Sequence, residues 1–193
     1  MFVDPAISRK KFDQEIAHFR AERPAHHRRG IWLMDATFPN ALFIFAATNT
    51  KPHPMVAFSV VINFDNYDAE PPSIQFVHPI TGDKLKKREL PHPFTTHVQR
   101  VMVGPNQIME VPDQWLAIAF DEDLPPFVCL QGVREYHNHP AHDGDSWWLH
   151  RKSGKGTLSY VLDQLAKYGI DGIRGVQVQL VPTIGAFVVQ SPQ

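Results

Sequence analysis

Between Ile31 and Pro79 the chain repeats one pattern: a run dense in β-branched and aromatic residues, then a break. The runs are IWLMDATF, ALFIFAAT, VAFSVVINF and SIQFVHP. Such residues suit a pleated, half-buried surface. Pro39-Asn40 separates the first two runs as a tight turn, and Pro52 with Pro54, then Pro71-Pro72, separate the rest. Prolines at these positions forbid one continuous element, so the segment is predicted to fold as a four-strand antiparallel meander.

Helices are expected on either side. Phe12, Ile16 and Phe19 recur at spacings of four and three residues, which puts them on one face of an N-terminal helix. Ser8 is the expected cap, and Pro24 with the basic loop Arg23–Arg29 the expected stop. Near the other end, Leu158, Val161, Leu162, Leu165 and Tyr168 share one face of a second helix, with Thr157 as cap and Gly169 as stop. Polar, proline-rich sequence from Thr81 to Phe94 precedes further strand candidates at HVQRVMVG, QWLAIAF and PFVCLQGV, which read as an extra β insertion. The tail VQVQLVPTIGAFVV alternates like an edge strand. No domain boundary stands out, so residues 1–193 are read as a single α+β domain.

Composition narrows the functional classes. Cys129 is the single cysteine, so no internal disulfide is possible and a reducing compartment is expected. The N-terminus lacks an apolar signal core and no run is apolar enough to span a bilayer, so a cytoplasmic location is expected. Nineteen basic residues against twenty acidic ones leave no field to attract nucleic acid or an anionic membrane. The clusters at Arg23–Arg29 and Lys84–Arg88, including His26 and His27, read as solvated loops. Trp32 to Phe45 and Trp115 read as core, and Gly154-Lys155-Gly156 as a plain helix start.

Chemistry is concentrated in CLQGVREYHNHPAHDGDSWWLHR, where Cys129, Glu135, His137, His139 and His142 fall within fourteen residues. Thiolate, imidazole and carboxylate together suit Zn2+ first. In an extended backbone Glu135, His137 and His139 would project to one side, and a turn at Pro140 would fold His142 back towards them. Asp143 and Asp145 would then orient the imidazoles, and Trp147 and Trp148 would exclude water. The same atoms support two other chemistries. Cys129 is a candidate nucleophile if a nearby histidine or Arg134 lowers its pKa. Alternatively, His137, His139 and His142 hold zinc while Glu135 activates its water, as in a metal hydrolase.

The order Cys129, Glu135, His137, His142 resembles the predicted metal-binding family named for Cys, Glu, His and His. That family occurs in bacterial gene neighbourhoods with ubiquitin-like proteins and their activating and conjugating enzymes. Most of the chain also resembles the ubiquitin-conjugating fold. FSVVINFDNYDAEPPSIQFVHP is similar to that family's Tyr-Pro-x-x-Pro-Pro strand and its approach to His-Pro-Asn, and VCLQG, WW and TLSYVLDQL to the active-site Cys-Leu, the downstream tryptophan and the following helix. Asp68 follows Tyr67 where the family has proline, and Ile80 follows His78-Pro79 where it has the asparagine that supports isopeptide formation. The resemblances imply a metal-binding accessory protein of a bacterial ubiquitin-like modification system, with a binding or recognition role. Its expected partners are a ubiquitin-like protein and the activating or conjugating enzymes. A thiol-transfer enzyme using Cys129 is the alternative they imply.

Overall fold

A computed structural model describes residues 3–50, 53–90, 94–104 and 107–173. Helix α1 (Pro5–Ala21) opens the fold and is capped by Asp4, whose carboxylate accepts from the Ala6 N–H at 2.9 Å. Pro5 takes the first helical position, where a missing N–H costs nothing. The helix therefore starts earlier than expected, and Ser8 lies buried inside it rather than capping it. Pro24 does not end helical structure either: it sits in the first turn of a second short helix, α2 (Arg23–Arg28). The basic segment expected as a solvated loop is that helix, and His26 within it is buried, stacked on Phe19 with ring centroids 4.3 Å apart.

The meander forms as predicted. Strands β1 (Ile31–Thr37), β2 (Asn40–Ala47), β3 (Met55–Asn63) and β4 (Ser73–Val77) pair in sequence order, every pair antiparallel. Trp32 faces Ile44, Leu42 faces Val61, and Ile62 faces Ile74 across the ladders. This register sends Phe43, Phe45, Phe58, Val60, Ile62, Ile74 and Phe76 into the core. Phe12, Ile16 and Phe19 of α1 meet that face, with edge-on contacts Phe19–Phe43 at 5.2 Å and Phe12–Phe64 at 5.4 Å. Aromatic pairs of this kind add roughly 0.5–1.5 kcal/mol each beyond their buried area.

After the meander a two-stranded ribbon stands apart, β5 (Thr95–Gly104) with β6 (Gln107–Trp115). It is the expected β insertion, although its second strand runs earlier than QWLAIAF. Trp115 at its end is 40% exposed and lies under Lys87 Nζ, 5.3 Å from the ring centroid, so it is not the core residue anticipated. Two short strands, β7 (Ala117–Ile118) and β8 (Phe127–Val128), pair and bring the chain to Cys129. Helical turns α3 (Arg134–His137) and α4 (Trp147–His150) flank a 3-10 turn at Pro140–His142, and α5 (Leu158–Gly169) closes the core. Thr157 caps α5 as predicted, accepting from the Tyr160 N–H at 3.3 Å. Gly169 is the last helical residue, and a side chain there would strike the rings of Phe58 and Phe94. Its bareness lets α5 approach the sheet. The α+β architecture of N-terminal helix, four-strand antiparallel sheet and C-terminal helix is thus as the sequence indicates. The tail read as an edge strand lies outside the described residues. No described helix is long and apolar enough to cross a membrane.

Candidate functional site: a cysteine and histidine pair

Cys129 follows β8 directly, and its N–H donates to the Leu116 carbonyl at 2.7 Å, which prolongs the β7–β8 pairing by one residue. The chain then turns at Gly132, whose φ is +93°. Gly132 packs on Gly156, φ +81°, so closely that a Cβ on either would collide with the other's backbone, and one on Gly156 would also meet Trp147. Glycine alone tolerates both the dihedral and the approach. The Gly154–Gly156 segment is therefore a packing element for the Cys129 loop. Trp147 is buried and donates its indole N–H to the Asp68 carbonyl at 2.9 Å, and Arg151 grips the Asp68 carboxylate with two bonds of 3.0 Å. These contacts lock residues 129–156 onto the β3–β4 connection.

Of the five predicted ligands, Cys129 and His142 meet: Sγ and Nε2 lie 3.3 Å apart. The other three are engaged elsewhere. Residues 134–137 are helical, not extended, so the alternation invoked to align Glu135, His137 and His139 does not apply. Glu135 instead turns to β4, accepting from the Ser73 hydroxyl and from the Ile74 N–H at 3.3 Å. His137 accepts from the Gly132 N–H at 3.1 Å through Nε2 and donates from Nδ1 to the Asp145 carbonyl at 2.8 Å. Both nitrogens are thus occupied by backbone, and burial lowers its pKa, so it stays neutral. His139 accepts from the Ala141 N–H at 3.2 Å and stacks on Phe127 at 5.2 Å. Among the described residues no three Cys, His, Asp or Glu side chains converge as a metal site would require. Of the four ligands a structural zinc usually takes, Cys129 and His142 are the two that face each other here.

The electrostatics follow from burial. Cys129 is half-buried, and desolvation pushes its thiol up, disfavouring the resting thiolate. Arg134, expected to lower it, lies over the β3–β4 connection instead, with Nε 3.3 Å from the Pro71 carbonyl and 3.3 Å from Glu70. Any nucleophilic step at this sulfur would need a base to take the proton, and His142 Nε2 is the basic atom 3.3 Å from it. Beside His142 a cavity of about 330 Å³ opens between Glu70, Asn138, Asp143 and Trp148.

Residues with no ligand-like pattern complete the site. Tyr136 stacks on His142 with ring centroids 3.8 Å apart and planes 19° from parallel. Its hydroxyl donates to Asp145 Oδ2 at 2.8 Å, and Gln131 Nε2 donates to the same oxygen at 3.0 Å. His150 holds the other carboxylate oxygen. These hydrogen bonds, from His150 first, then Tyr136 and Gln131, hold the Asp145 carboxyl well below the usual carboxylate range. Asp145 thus meets His150 through its carboxylate and His137 through its carbonyl, and reaches His142 by way of Tyr136. Aromatic stacking leaves no signature in residue spacing, which is why Tyr136 escaped the sequence reading.

Comparison with known proteins gives the family. A model of the Y4jH family, described as Y4jH-like, matches residues 3–173. The chain is also 38% identical over 194 residues to "Uncharacterized protein y4jH" of Sinorhizobium fredii (strain NBRC 101917 / NGR234), covering 97% of this chain and 94% of that relative. The match spans the helices, the meander and the whole Cys129–His150 site, so this chain belongs to the Y4jH family.

Proposed function

We propose that the protein is a thiol-dependent acyl carrier of ubiquitin-conjugating type, in which Cys129 accepts the C-terminal acyl group of a ubiquitin-like protein and His142 moves the proton. The observation that carries this reading is the 3.3 Å contact between Cys129 Sγ and His142 Nε2, with His142 also lining a cavity. The architecture supports it: the helix, meander and closing helix follow the order of the ubiquitin-conjugating fold that the sequence resembles, with the cysteine on the loop after the short β7–β8 pair. This inverts the sequence-based preference for a metal-binding accessory role, because Glu135, His137 and His139 are committed to other partners.

The step is a thioester exchange. The Cys129 proton passes to His142 Nε2 as the sulfur attacks the carbonyl carbon of an incoming thioester. A new C–S bond forms at Cys129, the bond to the donor sulfur breaks, and the departing thiolate recovers the proton from His142. Discharge to an acceptor amine reverses these roles: His142 takes the amine proton, an amide bond forms, and Cys129 leaves as thiolate to be reprotonated. Ile80 stands where the conjugating family places asparagine, and His78 caps its own turn, its Nδ1 accepting from the Ile80 and Thr81 N–H groups at 3.3 and 3.2 Å. Support for the amide-forming step therefore has to come from groups around the cavity.

The test is intact-mass analysis after incubation with a ubiquitin-like protein, its activating enzyme and ATP. A one-to-one adduct that thiols release, that Cys129→Ala abolishes and that Cys129→Ser converts to a thiol-resistant ester is expected. No adduct with a demonstrably active activating enzyme would refute the reading. Elemental analysis of the same preparation tests the metal-binding alternative: near-stoichiometric zinc lost from both Cys129→Ala and His142→Ala would establish it instead.

A further inference from the structure

We propose that Tyr136, tethered by Asp145, is a positioning residue that fixes the His142 imidazole for Cys129; the inference rests on the thiol-transfer reading of the pair. His142 ends a 3-10 turn on an irregular segment, and a histidine there has two side-chain torsions free to swing its ring. Only one orientation presents Nε2 to the sulfur. The plane of that ring is set by Tyr136, which covers it at 3.8 Å and 19°. Tyr136 in turn is fixed at both ends: its backbone lies within α3, and its hydroxyl is bound by Asp145 at 2.8 Å. Asp145 does not drift, because Gln131 and His150 hold its two oxygens and its own carbonyl receives the His137 Nδ1–H.

The chain of constraint therefore runs from Asp145 through the Tyr136 hydroxyl to its ring, and from that ring face to the imidazole. Each link is a direct contact. The Tyr136 ring stacks on the base and does not line the cavity beside it, so its effect should fall on the rate of the acyl step and not on capture of the substrate. A precise orientation is what makes proton transfer concerted with attack effective, and small misplacements cost rate steeply. The ring is the element in contact with His142 and the hydroxyl holds that ring, so phenylalanine should keep part of the effect and an aliphatic side chain none.

The experiment follows acetyl transfer from phenyl thioacetate to Cys129 at one fixed pH, in the parent, Tyr136→Phe, Tyr136→Leu and His142→Gln. Tyr136→Leu should slow the saturated rate about three- to tenfold, the range a lost aromatic pair predicts, with the half-saturating concentration unchanged. Tyr136→Phe keeps the stack and loses the tether, so its rate should fall between those of the parent and Tyr136→Leu. Proton NMR supplies a readout independent of turnover: the His142 ring protons, lying under the Tyr136 face, should resonate upfield in the parent and Tyr136→Phe. That shift should vanish in Tyr136→Leu. A parent without the upfield shift overturns the proposal even if the leucine variant fails to fold. So does a folded Tyr136→Leu that reacts at the parent rate while His142→Gln is slowed, an outcome that leaves the thiol-transfer reading standing. If His142→Gln itself reacts at the parent rate, both fall.

Discussion

Replacing Gly132 by alanine tests the most constrained point of the site. Two penalties act there. Placing an L side chain at φ +93° costs about 1–2 kcal/mol, offset by roughly 0.4–1 kcal/mol from the stiffer unfolded chain. The new methyl would also strike the Gly156 N and the Lys155 carbonyl carbon, which are backbone and cannot rotate away. Overpacking of this kind adds about 1–3 kcal/mol. Gly154 provides the control, with φ +83° and nothing within 4 Å of an added Cβ. Gly154→Ala should therefore lose only about 1 kcal/mol, and Gly132→Ala about 2 kcal/mol more. At roughly 2–4 °C per kcal/mol for a chain of this size, Gly132→Ala should melt about 5–15 °C below the parent and Gly154→Ala within about 4 °C of it. Scanning calorimetry or circular-dichroism melts read both. Equal losses in the two variants would show that the Gly132–Gly156 contact does not hold the loop, and the reasoning would fail.

Two further predictions concern the scaffold. His26 is buried against Phe19, and burial lowers its pKa while Glu22 partly opposes the shift. The unfolded chain therefore binds the proton more readily, so stability should fall as pH drops below about 6.5, by at most roughly 1.4 kcal/mol per pH unit for this group. Urea midpoints at pH 8 and pH 5.5 should differ less in His26→Phe than in the parent, and an unchanged difference would remove His26 as a contributor. Glu15 ties three elements together, accepting from the buried Tyr67 hydroxyl at 3.0 Å and from the Leu158 N–H at the start of α5 at 3.1 Å. Glu15→Ala should cost about 2–4 kcal/mol. Tyr67→Phe made in that background should cost nothing more, so additive losses in chemical denaturation would contradict the shared bond.

Much of the scaffold was legible in one dimension because its causes are local. The alternation and turn residues between Ile31 and Val77 specify strands and their order, since each strand's neighbour is its neighbour in sequence. The Phe12, Ile16, Phe19 face and the Thr157 cap likewise depend on residues within a turn or two. The segment from Cys129 to His142 also announced itself as the chemical part of the chain by residue type alone. What spacing did not decide was which of those side chains would meet. Residues 134–142 fold as two short helical turns, because they pack against β4 and the β3–β4 connection, and extended alternation gave the wrong partners. Glu135 went to Ser73, sixty-two positions away, and His26 into the core rather than water. The pairing of Cys129 with His142, and the Tyr136 ring between His142 and Asp145, exist only once distant backbone segments fix where each loop can go. Periodicity reports which face of an element is apolar, whereas the partner of a polar side chain is selected by tertiary distance and by the need to satisfy buried hydrogen-bonding groups.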